Sequence, residues 1–256
     1  MRLRVSLLVL IAAALCAPAL GSSRAVAATP QNVVLTAADG VRIYGVYVNA
    51  GPAAKATILL FHMARSNYGA YEPIIPALVA HGYNCLAIDQ RSGAPDWGRE
   101  NQTVAHLGNQ PTAFLAALPD LDAALAWAHI HAPDRPIIAW GSSYSAALIF
   151  LLAARHPGEI SALLAFSPGE YLGDGTTVHR AAAQVRVPIF VDSAADAWEE
   201  ARAASILAAS PSMHKVQYLP HYGVHGSSTL RVDADPRGAA ENWSAVFAFL
   251  HAIESM

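Results

Sequence analysis

Gly141-Ser142-Ser143-Tyr144-Ser145 lies directly behind the apolar run Arg135-Pro136-Ile137-Ile138-Ala139-Trp140 and directly ahead of the apolar stretch Ala146 to Ala154. A strand, a sharp turn around a serine and a helix follow from that pattern. Such a turn lifts the central hydroxyl out of a sheet and sets backbone N–H groups and a helix N-terminus beside it, where an oxyanion can be held. The central residue is Ser143. Shifting the frame to Ser142 puts Trp140 where the leading glycine must allow close backbone approach, so Ser142 is the weaker candidate. The closing position is Ser145 where the common G-x-S-x-G form has glycine. A serine hydroxyl is a poor nucleophile at neutral pH. It needs a base to take its proton, usually a histidine oriented by a carboxylate.

Those partners are sought where an open α/β sheet gathers its functional groups, at the carboxyl ends of the parallel strands. The chain supports such a sheet. Val33-Val34-Leu35-Thr36, Asp39-Gly40 and Val41 to Val48 read as a hairpin. Short buried strands then alternate with helical stretches: Ala56 to Phe61, a helix near Tyr71 to His81, the strand around Cys85, a helix from about Thr112 to His131, and the Ile137 strand with the serine turn. Strands at Ala162 to Phe166, Val187 to Val191 and Lys215 to Leu219 follow, with helices near Glu199 to Ala209 and Pro236 to Ile253. Two hairpin strands and six crossover strands make about eight. After the Val187 strand comes Asp192-Ser193-Ala194-Ala195-Asp196; after the Lys215 strand comes Pro220-His221-Tyr222-Gly223-Val224-His225-Gly226. Asp192 sits within or at the edge of its strand and can point back into the structure, whereas Asp196 stands at the lip where a helix begins. Asp196 also reads as a simple helix N-cap ahead of Trp198-Glu199-Glu200. His225, bracketed by Gly223 and Gly226, is the preferred base, and His221 the second choice. The long connection from Arg91 to Pro111 reads as a loop beside the site.

Composition narrows the classes further. Arg2 and Arg4 precede an apolar run from Val5 to Leu15 and a small-residue exit at Ala25-Val26-Ala27, the form of a secretory signal peptide over residues 1–27. Residues 28–256 then form a single α/β domain that is secreted or periplasmic. Loss of Arg2, Arg4 and Arg24 from the 16 basic side chains leaves 13 against 19 acidic ones, a formal charge of −6. With two lysines in the whole chain and no basic block, nucleic acid is excluded as a partner, and no membrane association is expected once the signal is removed. Cys85 is then the sole cysteine, in a strand, which reads as a buried inert thiol. His221 and His225 have i, i+4 spacing, but Pro220, Gly223 and Gly226 oppose a helix and no further ligand cluster accompanies them, so no metal is called. The glycine-rich dinucleotide loop is missing after the first central strand, and no cofactor is called either.

The chain order Ser143, Asp196, His225, each after a successive strand end, resembles the α/β-hydrolase superfamily over nearly the whole mature chain. It is most similar to capless esterases of the dienelactone hydrolase type and to the catalytic domains of prolyl-oligopeptidase-type peptidases. The resemblance implies a Ser143, Asp196, His225 triad. It implies an oxyanion hole made by the amide of Tyr144 and that of Met63 or Ala64, in a segment Phe61-His62-Met63-Ala64 where Met63 replaces the usual glycine. Asp89-Gln90-Arg91-Ser92-Gly93 looks like the family's structural Asp-x-Arg-x-Gly turn. About twenty residues between Pro168 and Val187 leave no room for a cap, so the site is open and walled by short loops, with Tyr68, Trp97, Tyr144, Tyr171 and Trp198 as wall residues. The implied activity is hydrolysis of small-molecule carboxylic esters through an acyl-enzyme; a peptidase, or a binding protein on the same fold, is the alternative.

Overall fold

The computed structural model describes residues 29–256, so the signal-peptide reading falls outside the described residues. The hairpin expected from the Asp39-Gly40 signal is present as β1 (Gln31–Thr36) and β2 (Arg42–Val48), and Gly40 turns it with a φ of +83°. Six further strands complete one sheet: β3 (Ala56–Phe61), β4 (Tyr83–Ile88), β5 (Ile137–Ser142), β6 (Ala162–Phe166), β7 (Ile189–Asp192) and β8 (Lys215–Gln217). Their order is β1-β2-β4-β3-β5-β6-β7-β8, antiparallel at β1/β2 and β2/β4 and parallel elsewhere.

Strand order reverses at β3, which pairs with β4 on one side and β5 on the other. A crevice opens at such a reversal, at the carboxyl ends of the strands. The central strands are apolar throughout because both faces are covered, and period-two alternation divides their side chains. Ile58, Leu60, Ile138 and Trp140 pack beneath α1 (Ile75–Ala80) and α7 (Ala239–Ile253) through Leu78, Val246 and Leu250. Leu59, Phe61, Ala139 and Leu163 face the opposite layer, built from α3 (Leu118–His131), α4 (Tyr144–Arg155), α5 (Thr177–Ala182) and α6 (Ala197–Ala209). Each fully buried aliphatic or aromatic side chain contributes about 2 kcal/mol from removal of its apolar surface from water.

Two expected helices are shorter than their apolar patterns. Prolines account for both starts: α1 and α3 each carry a proline in the first turn, where its missing N–H costs nothing, and 3-10 turns at Tyr68–Tyr71 and Phe114–Ala117 occupy the preceding residues. Between β6 and β7 stands only α5 with its loops, so among the described residues no cap is inserted there. The Arg91 to Pro111 connection contains one short helix, α2 (Gln102–Ala105), and is tied down rather than loose. Asp89 accepts the amides of Tyr68 at 2.9 Å and Gln102 at 2.7 Å, and Asn101 Nδ2 donates to Gln90 O at 3.0 Å and Ser66 O at 3.2 Å. Trp97 lies 3.7 Å under the Arg231 guanidinium carbon. Arg91 pairs with both Asp120 and Asp39, which fixes this turn to α3 and to the β1–β2 hairpin.

Candidate active site

Ser143 follows β5 with φ 59° and ψ −122°, a conformation that costs a non-glycine residue about 1–3 kcal/mol and persists only under strong surrounding constraint. Part of that constraint is Gly141. A Cβ there would stand 2.3 Å from Ser145 O, so only glycine lets β5 pass so close to the first turn of α4. The Ser143 amide donates to Phe166 O at 2.8 Å, which anchors the turn on β6.

The loop after β8 brings His225 over this hydroxyl. Ala195 N donates to Gly223 O at 3.2 Å, and a Cβ on Gly223 would lie 3.0 Å from Ser193 O, so the loop after β8 lies directly on the loop after β7. Gly226 bends away with φ +71°, and two serines receive the next amides: Gly226 N donates to Ser167 Oγ at 2.8 Å and Ser227 N to Ser142 Oγ at 2.9 Å. His225 Nε2 stands 2.8 Å from Ser143 Oγ, and His225 Nδ1 stands 2.7 Å from Glu199 Oε1. A carboxylate can only accept, so Nδ1 carries the proton and Nε2 is free to accept the serine's. His221 instead is exposed and meets Glu241, so the two histidines serve different partners.

The acid beside His225 is Glu199, and the expectation for Asp196 is corrected. Asp196 is the N-cap of α6: its Oδ1 accepts Trp198 N at 3.0 Å and Glu199 N at 3.1 Å, and the side chain is exposed. Its carboxylate satisfies its own helix. Glu199, one turn further on and one methylene longer, reaches inward to His225 while Oε2 accepts Ala194 N at 3.2 Å. Burial works to raise the Glu199 pKa. Hydrogen bonds from His225 and Ser167, the His225 charge and the Ala194 amide outweigh it and hold the carboxyl at about 2. The spacing Asp196-x-x-Glu199 marks a capped first turn of a helix, but it does not say that the second carboxylate turns toward His225. Asp192, at the end of β7, is fully buried, with Oδ1 accepting Ser193 N at 2.7 Å and no contact with His225.

Met63, Ala64 and Tyr144 flank the serine turn, and among the described residues none of their amides donates to another protein group. The two departures from the common pattern meet behind them. Ser145 Oγ donates to His62 O at 2.6 Å and receives Gln90 Nε2 at 2.9 Å, and Gln90 Nε2 also reaches Tyr144 Oη at 2.9 Å. Gln90 N donates to His62 Nε2 at 2.9 Å, so the His62 proton sits on Nδ1, which donates to Met63 O at 2.7 Å. Burial lowers the His62 pKa to about 4, consistent with that neutral tautomer. The hydroxyl at 145 therefore joins the first turn of α4 to the end of β3, a contact glycine cannot make. Gln90 was not foreseen in this role.

Of the expected wall residues, Tyr144 is fully buried against Phe114, Trp97 belongs to the packed Arg91 to Pro111 loop, and Tyr68, in the turn before α1, is covered by Arg99 of that loop. Tyr171 borders the site: its hydroxyl donates to Ser167 O at 3.1 Å, one residue beyond Phe166, whose carbonyl anchors the Ser143 amide. Trp198 stands at the rim, 66% exposed.

The model of the family described as serine aminopeptidase, S33, matches residues 52–226. No curated protein shows significant similarity to the chain. Among solved structures, an esterase of Pyrococcus furiosus superposes with a TM-score of 0.66 at 19% identity, covering 88% of this chain and 93% of its own. A dienelactone hydrolase from Anabaena variabilis gives 0.59 at 18% identity, covering 80% and 94%. An acylaminoacyl peptidase from Pyrococcus horikoshii gives 0.64 at 12% identity, covering 88% of this chain and 41% of the peptidase.

Proposed function

The chain belongs to the serine aminopeptidase S33 family of the α/β-hydrolase superfamily, and from that premise we propose that it is a carboxylic ester hydrolase working through Ser143, His225 and Glu199. The observation that carries the reading is the unbroken relay of 2.8 Å and 2.7 Å from the Ser143 hydroxyl through the imidazole to the Glu199 carboxylate. His225 Nε2 takes the Ser143 proton as the hydroxyl attacks the ester carbonyl, and Glu199 steadies the imidazolium that forms. The tetrahedral oxyanion is held by Tyr144 N–H and by the N–H of Met63 or Ala64. His225 returns its proton to the departing alcohol, and water repeats the sequence on the acyl-enzyme. Esters are favoured over peptides because, among the described residues, only α5 and its loops stand between β6 and β7 to shape a substrate site. The acid in this reading is Glu199, while Asp196 caps α6.

A fluorophosphonate probe is expected to label one residue, Ser143, located by peptide mapping. Ser143→Ala is expected to lose both labelling and hydrolysis of p-nitrophenyl butyrate, by about a million-fold in kcat by comparison with triad deletions elsewhere. Labelling that persists in that variant overturns the assignment. Export is proposed with it: the mature protein is expected to begin at Ala28, which N-terminal sequencing of protein recovered outside the cytoplasm reads directly.

A further inference from the structure

We propose that Arg202 forms an anion-binding subsite beside Ser143, and that the preferred substrates carry a carboxylate on the acyl or the alcohol part. The inference rests on the hydrolase reading above and deepens it. Arg202 lies on the turn of α6 after Glu199 and is partly buried. Its guanidinium carbon is 4.1 Å from the centre of the Trp198 ring and 4.8 Å from that of Tyr171, so the flat group is held between two aromatic side chains. A Cβ on Gly169 would stand 1.8 Å from its Nη2, so the guanidinium rests on bare backbone just after β6. Stacking of this kind fixes the plane of an arginine while leaving its N–H edge free, which suits a carboxylate taken side-on.

Its position relative to the nucleophile is set by one phenol. Arg202 stacks on the Tyr171 ring, and the Tyr171 hydroxyl donates to Ser167 O at 3.1 Å, next to Phe166, whose carbonyl receives the Ser143 amide at 2.8 Å, so the guanidinium packs against the end of β6 on which the serine turn is anchored. Among the described residues no carboxylate comes within ion-pair distance of Arg202. The acid nearest along the helix toward the site, Glu199, is already engaged by His225 and by Ala194 N. A half-buried, immobilised guanidinium without a counter-ion at the mouth of an acyl-transfer site has charge and donors to offer a substrate. A substrate ammonium group would be repelled there, which sets the anionic substrate apart from the free amino terminus that an aminopeptidase must hold.

The test uses two matched pairs of esters: p-nitrophenyl hydrogen adipate against p-nitrophenyl hexanoate, and 4-acetoxybenzoate against 4-acetoxybenzamide. The quantity read is the charged-to-neutral ratio of kcat/KM, corrected for uncatalysed hydrolysis. In Arg202→Gln the ratio for at least one pair is expected to fall roughly 10- to 100-fold, the worth of a charge-assisted hydrogen bond, with Arg202→Lys in between. High salt is expected to lower the same ratio in the unaltered enzyme. Because Arg202 also supports Trp198 and Tyr171, a parallel loss on both members of each pair means packing alone and overturns the subsite. An unchanged ratio in both pairs does the same. Absence of hydrolysis of every ester, together with absence of fluorophosphonate labelling at Ser143, overturns the hydrolase reading itself and the subsite with it.

Discussion

At the scale of single residues, the proposed chemistry depends on which of two carboxylates, three positions apart, faces His225. Asp196 spends its oxygens on the Trp198 and Glu199 amides, while Glu199 receives His225 Nδ1 at 2.7 Å. The two predict different damage. Glu199→Gln keeps the shape but removes the charge that stabilises the imidazolium, and kcat/KM for an uncharged ester is expected to fall about 10⁴-fold. Asp196→Ala removes a helix cap, and a loss of about 1 kcal/mol in stability is expected with catalysis near that of the parent. Denaturant unfolding and ester kinetics on both variants separate the cases; a catalytic collapse in Asp196→Ala would return the role to that residue. The sign of the pH effect follows from the lowered Glu199 pKa. Its stabilising contribution is complete above the ordinary carboxylate value and is lost as pH falls toward about 2. The acid limb of an activity profile near neutrality is therefore not expected to come from Glu199.

At the scale of elements, the end of β3, the start of α4 and the turn after β4 act as one unit because Ser145, His62 and Gln90 bond across them. Ser145→Ala leaves His62 O without its buried donor, which costs about 1–3 kcal/mol. It also frees the Met63 segment proposed to hold the oxyanion. The expected signature is a fall in kcat with KM little changed, since the ester ground state makes less use of these amides than the transition state does. Ser145→Thr retains a hydroxyl and is expected to recover part of the loss where its extra methyl is accommodated. A rise in KM with kcat unchanged would place the network in ground-state binding instead. These elements also mark what could be read from the chain. The serine turn was legible because a strand, Gly141, Ser143 and an apolar helix are consecutive, and His225 because two glycines bracket it. Glu199 was not, because its reach into the site depends on how α6 is set against the loop after β8, through Gly223 lying on Ser193. Gln90 was hidden for the same reason: its partners come from β3 and α4, both remote from it in the chain.

For the molecule as a whole, the informative group is one the proposed chemistry leaves unused. Asp192 ends β7 with no exposure to solvent, and its Oδ2 has no hydrogen-bond partner among the described residues. Burial, abetted by the charge of Asp235 and opposed by the Ser193 amide, pushes its pKa to about 8. The folded protein thus keeps this proton at neutral pH, whereas the unfolded chain releases it near pH 4. The folded state binds more protons throughout that interval, so stability falls as pH rises from about 4 to about 8. His62 works in the opposite sense. Its folded pKa of about 4 lies below the ordinary imidazole value, so its contribution raises stability as pH climbs to about 6.5, and the two trends oppose each other there. Above that point Asp192 is no longer opposed by His62. Urea unfolding between pH 6.5 and 8 is expected to show a decline on the order of 1 kcal/mol per pH unit from this residue. In Asp192→Asn that decline should flatten, with ester hydrolysis kept because residue 192 makes no contact with His225. A slope that survives the substitution means that the carboxyl is already ionised in the folded protein. Loss of hydrolysis without loss of stability would instead tie the end of β7 to the positioning of Glu199.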